Sequence, residues 1–280
     1  MSRTRVISRE YKLMLRVDRF VGNRVQLLDA ASAFWQALQP VLEPYTFGVT
    51  GNLDSIEKHR AVRFYDTETN QLRQNDYVFR ERIDLERNQR EVTLKFRHPD
   101  RYIVVDRNMD AAERNRGKTK LEEDIKPPFL KLYSFSTKQD IDDNRSFDRL
   151  KDIDDLYPDF SKKLDNYKKK VSLHCLGNFT ARELVVTGGF FKLRKSPERN
   201  AECALVAWYV NGGDAETPQV VEFSFRYGDE KEDYSGKMAR RAYNVFQGIQ
   251  SGLTNWIDPK SKTKTAYVYH LASQALPISS

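Results

Sequence analysis

The chain has 280 residues, 39% hydrophobic, 31% charged and 12% aromatic, with 47 Lys+Arg against 40 Asp+Glu and a formal net charge of +7. That is a globular composition, and no apolar run reaches the roughly 20 residues that a membrane-spanning helix needs. Two cysteines, Cys175 and Cys203, stand outside any CxxC setting, which excludes a disulfide framework and a zinc-finger spacing. The basic excess favours an anionic partner such as a nucleotide, a polyphosphate or nucleic acid, with plain solubility as the competing reading.

The start, MSRTRVISREYK, has no apolar stretch before its charges, so a secretory signal is not expected and the cytoplasm is the expected compartment. The Asn178-Phe179-Thr180 sequon is then not expected to be glycosylated. The first strand pattern is SREYKLML, with Ser8, Glu10 and Lys12 on one face and Tyr11 and Leu13 on the other. Residues 25 to 39 carry Leu27, Leu28, Ala31, Trp35 and Leu38 on one stripe, which predicts a helix ending near Pro40.

Strand patterns follow at RFYDT, DYVFRERI, EVTLKFR, RYIVVD and KTKLEEDI. EVTLKFR is the cleanest: Glu91, Thr93, Lys95 and Arg97 alternate with Val92, Leu94 and Phe96. The segment 134–170 is the most polar and reads as a connection between halves, with a second helix over 147–156 after Ser146 as its N-cap. Alternation resumes in ARELVVTGGFFKLR, where Gly188-Gly189 should bend the strand, and then in ECALVAWYV and VVEFSFRY. A third helix is expected over 236–250 after Ser235, and residues 251–280 read as a tail. About eight strands suit a sandwich or a closed barrel, and the helices' apolar stripes need the strands' apolar faces to cover. The habit is the same on both sides of the connection, so 1–280 reads as a single domain.

The polar strand faces repeat one theme: Lys12, then Arg80 with Arg82, Lys95 with Arg97, and Lys192 with Arg194. If these faces line a closed barrel, their ammonium and guanidinium groups suit several phosphates at once. Glu10, Glu91, Glu122, Asp124 and Glu222 share those faces and are the oxygen ligands that Mg²⁺ or Mn²⁺ would use. A cross-strand salt-bridged outer surface is the competing reading. His59, His98, His174 and His270 have no metal-ligand spacing, no P-loop or dinucleotide fingerprint occurs, and the lysines at 162, 163 and 168–170 read as a solvated linker.

The order REYKLML, RFYDTETNQLRQNDYVFRERI, REVTLKFR, KLEEDI, FFKLR and VVEFSFRYGDE resembles the CYTH superfamily, the triphosphate tunnel metalloenzymes, over about residues 5–250. The resemblance implies an α+β fold: an eight-stranded antiparallel β-barrel forming a tunnel, with helices packed outside. It implies phosphate binding by Lys12, Arg80, Arg82, Lys95, Lys192 and Arg194, with Arg97 and Arg226 beside them. It also implies metal binding by Glu10, Glu122, Asp124 and Glu222, and catalysis by Glu10 and Lys12 in a metal-dependent triphosphatase. The partner would be a triphosphate, a polyphosphate or a nucleoside triphosphate. Ser8 and Ser224 stand where the family pattern has glutamates, so both acidic pairs are halved. A phosphate-binding module with a decayed metal site is therefore the first alternative, and a basic nucleic-acid-binding barrel the second.

Overall fold

The computed structural model describes residues 4–113, 115–210 and 217–275. Its elements run β1 (Val6–Leu15), α1 (Arg24–Leu42), β2 (Val49–Asp66), α2 (Gln71–Gln74), β3 (Tyr77–Asp84), β4 (Arg90–His98), α3 (Arg101–Val105), β5 (Gly117–Lys126) and β6 (Leu130–Ile141). They continue through α4 (Leu150–Asp154), β7 (His174–Cys175), β8 (Ala181–Arg194), β9 (Arg199–Val210), β10 (Val220–Gly228), α5 (Gly236–Gly252) and α6 (Lys264–Ala275).

The strands form one sheet in the order β3-β4-β6-β5-β1-β10-β9-β8-β2-β7, and a further β3–β2 pairing closes it into a ring. The expected eight antiparallel strands are nine in the ring, with the two-residue β7 appended to the end of β2. One neighbouring pair, β1 with β5, is parallel. The additional strand is β6, which falls at the start of the segment expected to be a polar connection. Its inward face carries Ser134, Ser136 and Lys138, and that polarity hid it from a hydrophobicity pattern.

Alternation then sorts the side chains. Val92, Leu94 and Phe96 are at most 1% exposed and lie on the outside of the ring beneath α4 and the chain that follows it, against Leu150, Ile153, Tyr157 and Phe160. On the opposite side α1 and α5 cover the outer faces of β1, β8, β9 and β10, packing Phe34, Trp35, Phe246 and Ile249 on Tyr11, Leu13, Phe223 and Phe225. Each such buried side chain stabilises the fold by about 1.5–3 kcal/mol relative to exposure, and the inward face is left for polar groups.

Three local expectations are corrected. RYIVVD is not a strand: Asp100 accepts hydrogen bonds from the backbone N–H of Tyr102 and Ile103 and caps α3. Pro40 lies inside α1, in its last turn, rather than ending it. The helix expected from residue 147 is shorter; Ser146 donates to Asp148, while Asp152 accepts from the N–H groups of Asp148 and Arg149 and starts α4 at Leu150. The third helix begins as expected, with Ser235 accepting from Met238 N–H. The glycine bend is also present: Gly51 at φ +75° faces the Gly188 carbonyl so closely that a Cβ there would sit 1.9 Å from its oxygen, and the β2–β8 register shifts at this point.

The presumed tail is the largest revision. Residues 264–275 form α6, whose Val268 and Tyr269 pack on Met14, Val62, Phe64, Val206, Trp208 and Val220. All six belong to the inward face of their strands, so α6 covers one end of the ring. Asp66, fully buried, holds it there: its carboxylate accepts from Tyr269 Oη at 2.6 Å and from the N–H groups of Thr67, Leu72 and Arg73.

Candidate polyanion site

Every strand of the ring contributes to a cavity inside it. The cavity has two adjoining lobes of about 620 Å³ and 180 Å³ that share Glu10, Arg82, Lys120, Glu222, Arg226 and Lys264. Twelve Lys and Arg side chains and seven Glu side chains line the pair, so the interior is basic by more than the chain average.

Its charges fall into two groups. Those in the first are tightly paired. Lys12 Nζ sits 2.9 Å from Glu10 and 2.8 Å from Asp124, whose other oxygen accepts from Ser134 Oγ at 2.7 Å. Burial opposes all three charges, yet Lys12 holds Glu10 down at about 2 and Asp124 well below the carboxylate range. The two acids in turn keep Lys12 above its ordinary value. Glu183, also inward, receives Arg60 at 2.5 Å and Trp208 Nε1 at 2.9 Å, with Arg82 at 3.6 Å. Burial opposes its charge too, but Arg82 and Arg60 keep it ionised. Glu91 is held by Lys138 and Arg82, Glu122 by Lys120 at 2.7 Å, and Glu222 by Lys264 of α6 at 2.9 Å.

The second group is poorly paired, and it lines the smaller lobe: Arg80, Lys95, Arg97 and Lys126. Arg80 and Lys126 form no ion pair among the described residues. Lys95 comes no nearer than 3.9 Å to Glu122, and Arg97 no nearer than 3.8 Å to Asp124. The Nε donors of Arg80, Arg82 and Arg97 are enclosed without a hydrogen-bond partner. Burial, with Arg97 and Lys12 as like-charged neighbours against Asp124 and Glu122, lowers Lys95 to about 7. Burial and the adjacent Arg82 likewise disfavour the charged form of Arg80. Unpaired donors in an enclosed space are costly, and an anion among them would repay that cost.

Of the candidates from sequence, Glu10, Lys12, Arg80, Arg82, Lys95, Arg97, Glu122, Glu222 and Arg226 line the cavity, and Asp124 lies beside it through Lys12. Lys192 and Arg194 do not reach it. The bulge at Gly188-Gly189 keeps them on the inward parity after Phe190, but they stand at the rim, where Lys192 pairs with Glu198 at 2.7 Å and Arg194 with Asp233 at 3.4 Å. Arg226 is a rim residue too, half exposed and paired with Glu202. Missed from sequence were Arg60, Lys120, Lys126 and Glu183, all legible as polar positions on strand parity, and Lys138 and Lys264, for which a strand read as a connection and a helix read as a tail gave no signal.

The four carboxylates expected to hold Mg²⁺ or Mn²⁺ do not form a donor set. Each is neutralised by a lysine, and among the described residues no three His, Cys, Asp or Glu side chains gather as a metal-binding group. As arranged, these residues do not fit a divalent cation, which needs several oxygens free to face one point.

No family model matches the sequence, and no curated protein matches it. Among the solved structures it is similar to are three proteins described as adenylyl or adenylate cyclases. One from Hippeastrum, described as having a dominant triphosphatase activity, is 13% identical over 95% of each chain with a TM-score of 0.47. One from Vibrio parahaemolyticus is 8% identical over 97% of this chain and 99% of that one, at a TM-score of 0.35. One from Bacillus halodurans is 10% identical over 94% and 97%, also at 0.35. Likeness at this level carries no argument about chemistry; the closed ring rests on the strand registers above. No helix among the described residues is long and apolar enough to cross a membrane.

Proposed function

We propose that this chain binds a triphosphate, or a polyanion of similar size and charge, inside its closed sheet, and that its own Lys and Arg side chains supply the grip. The observation that carries this reading is the set of four under-paired cations, Arg80, Lys95, Arg97 and Lys126, around one enclosed lobe. Guanidinium groups offer bidentate contacts and ammonium groups point charges, a combination suited to several phosphoryl groups in a row. Binding would also draw a proton onto Lys95, whose affinity for it is near neutral in the free protein.

Hydrolysis is less well supported. Glu10, expected to be catalytic and to hold the metal, is bound to Lys12, which keeps it at about 2, and the carboxylates do not assemble around a metal position among the described residues. A binding module therefore fits better than a metal-dependent triphosphatase. A nucleic-acid surface fits less well again, because the unpaired cations are enclosed rather than spread along an exposed groove.

The test is thermal denaturation with tripolyphosphate in EDTA, with phosphate release followed in parallel with added Mg²⁺ or Mn²⁺. A large shift in EDTA without phosphate release is expected, and Lys95→Ala should abolish it. Absence of any shift would overturn the binding reading, and rapid metal-dependent release would restore the hydrolase.

A further inference from the structure

A basic groove lies outside the ring, between the turn at residues 44–47 and the start of α5. It holds about 360 Å³, and its charged wall is Lys237, Arg240 and Arg241, with Asn244 beyond them. Met238, Ala242, Val245, Phe246 and Ile249 take the buried face of α5, which leaves these polar side chains on the outer one. Tyr45 and Phe47 form the facing wall.

Both walls are fixed in place. Tyr45 packs on Gly248 of α5, where a Cβ would come within 2.8 Å of its ring. Phe47 N–H donates to the Lys192 carbonyl and Lys192 N–H to the Gly48 carbonyl, each at 2.9 Å, which ties the turn to β8 beside the rim. Phe47 is 38% exposed, and over its ring lie the Arg241 guanidinium at 4.0 Å and the Lys195 ammonium at 5.0 Å.

Beyond these ring contacts the cations are unsatisfied. Lys195, Lys237, Arg240 and Arg241 form no ion pair among the described residues. Of the acids near them in sequence, Glu198 is engaged by Lys192 and Asp233 by Arg194, while Glu43 pairs with none of the four. The first turn of α5 carries no acidic residue, so Lys237 stands at the positive end of the helix, where a cation is disfavoured. Folding alone does not favour that placement, whereas an external anion would offset it.

Among anionic partners the shape favours a peptide. The exposed ring of Phe47 already carries two cations, which a nucleic-acid base would have to displace in order to stack. A concave groove with two walls does not match a flat lipid surface. Lys237 and Arg241 are four residues apart, about 6 Å along the helix axis. Side chains two apart in an extended peptide are separated by about 6.6 Å, nearly the same spacing. We propose that this groove docks an acidic segment of a partner protein in extended form, with alternate Asp or Glu side chains against Lys237 and Arg241. The site is outside the ring and does not depend on the polyanion reading.

The test is fluorescence anisotropy with the full chain and three labelled probes: octaglutamate, octaglutamine and an eight-nucleotide oligothymidylate. Octaglutamate should bind and octaglutamine should not. Reversing two charges together, Lys237→Glu with Arg241→Glu, should weaken octaglutamate by about tenfold or more while changing tripolyphosphate affinity by less than about twofold. Lys95→Ala, the variant expected to lose tripolyphosphate, should leave octaglutamate within about twofold, which separates the groove from the interior. Phe47→Ala keeps every charge but removes the ring beneath Arg241 and Lys195, and should weaken octaglutamate severalfold. No octaglutamate binding, equal binding by the charge-reversed chain, or loss of binding in Lys95→Ala would overturn the assignment. Oligothymidylate bound more tightly than octaglutamate, and lost on charge reversal, would overturn it in favour of nucleic acid.

Discussion

The inside of the ring has two levels. Toward α6 it is filled by Met14, Val62, Phe64, Val206, Trp208 and Val220 in ordinary apolar packing; farther along these strands and on their neighbours β3 and β8 the inward parity carries Glu10, Lys12, Arg60, Arg82, Glu183 and Arg226. The backbone geometry of the two levels is alike, so the difference lies in what each is arranged to face. The apolar level closes one end and stabilises the ring, whereas the charged level holds desolvated cations at a cost that a folding-only design would avoid. Trp208 and Glu183 sit at the boundary and join the two through one hydrogen bond.

The comparison breaks most visibly at that boundary. Trp208→Ala should destabilise the fold by about 3–5 kcal/mol in urea unfolding, from the cavity alone, and it also takes away a donor to buried Glu183. An effect under about 1 kcal/mol would mean that α6 and its apolar level do not close the ring. At the charged level the opposite division is expected. Arg80→Met should leave stability unchanged or raised, because an enclosed cation without a partner disappears, while tripolyphosphate affinity falls by about tenfold or more, the loss of one charge-assisted hydrogen bond.

The next effect is on pH dependence. Lys95 titrates near 7 when folded and near 10.5 when unfolded, so the unfolded chain holds more protons between those values. Stability should therefore rise with pH from about 7 to 10.5, and Lys95→Met should flatten that slope; an unchanged slope would show that Lys95 is not desolvated. Glu10 works in the opposite range. Its folded value of about 2 lies below the unfolded 4.5, so its contribution is present above 4.5 and lost as pH falls toward 2. The smallest effect belongs to the rim: Arg226→Ala breaks a half-exposed pair with Glu202 and should change stability by less than about 1 kcal/mol.

Much of this arrangement is legible in the sequence where one strand's alternation is clean. EVTLKFR alone separates Val92, Leu94 and Phe96 from Glu91, Lys95 and Arg97, because a strand's side chains must alternate, and the closed ring puts the first set against the helices and the second toward the cavity. The basic lining, the capped start of α5 and the bend at Gly188-Gly189 follow from equally local rules. Legibility fails where a residue's role depends on a distant segment. β6 looks polar because its inward Ser134 meets Asp124 across the sheet, whereas RYIVVD departs from its strand pattern for a local reason, since Asp100 just before it caps the helix. Lys192 and Arg194 keep the right parity yet stand too far along the strand.

Alternation and capping act over a few residues, so the sequence by itself determined which strand faces are apolar and which are basic, and therefore that a closed sheet could carry cations inside. Ring closure, the strand count, the α6 plug and the pairing of the interior carboxylates with lysines and arginines were decided only by tertiary structure. Those features bring together residues as remote as Asp66 with Tyr269 and Glu222 with Lys264, and no local pattern encodes such distances.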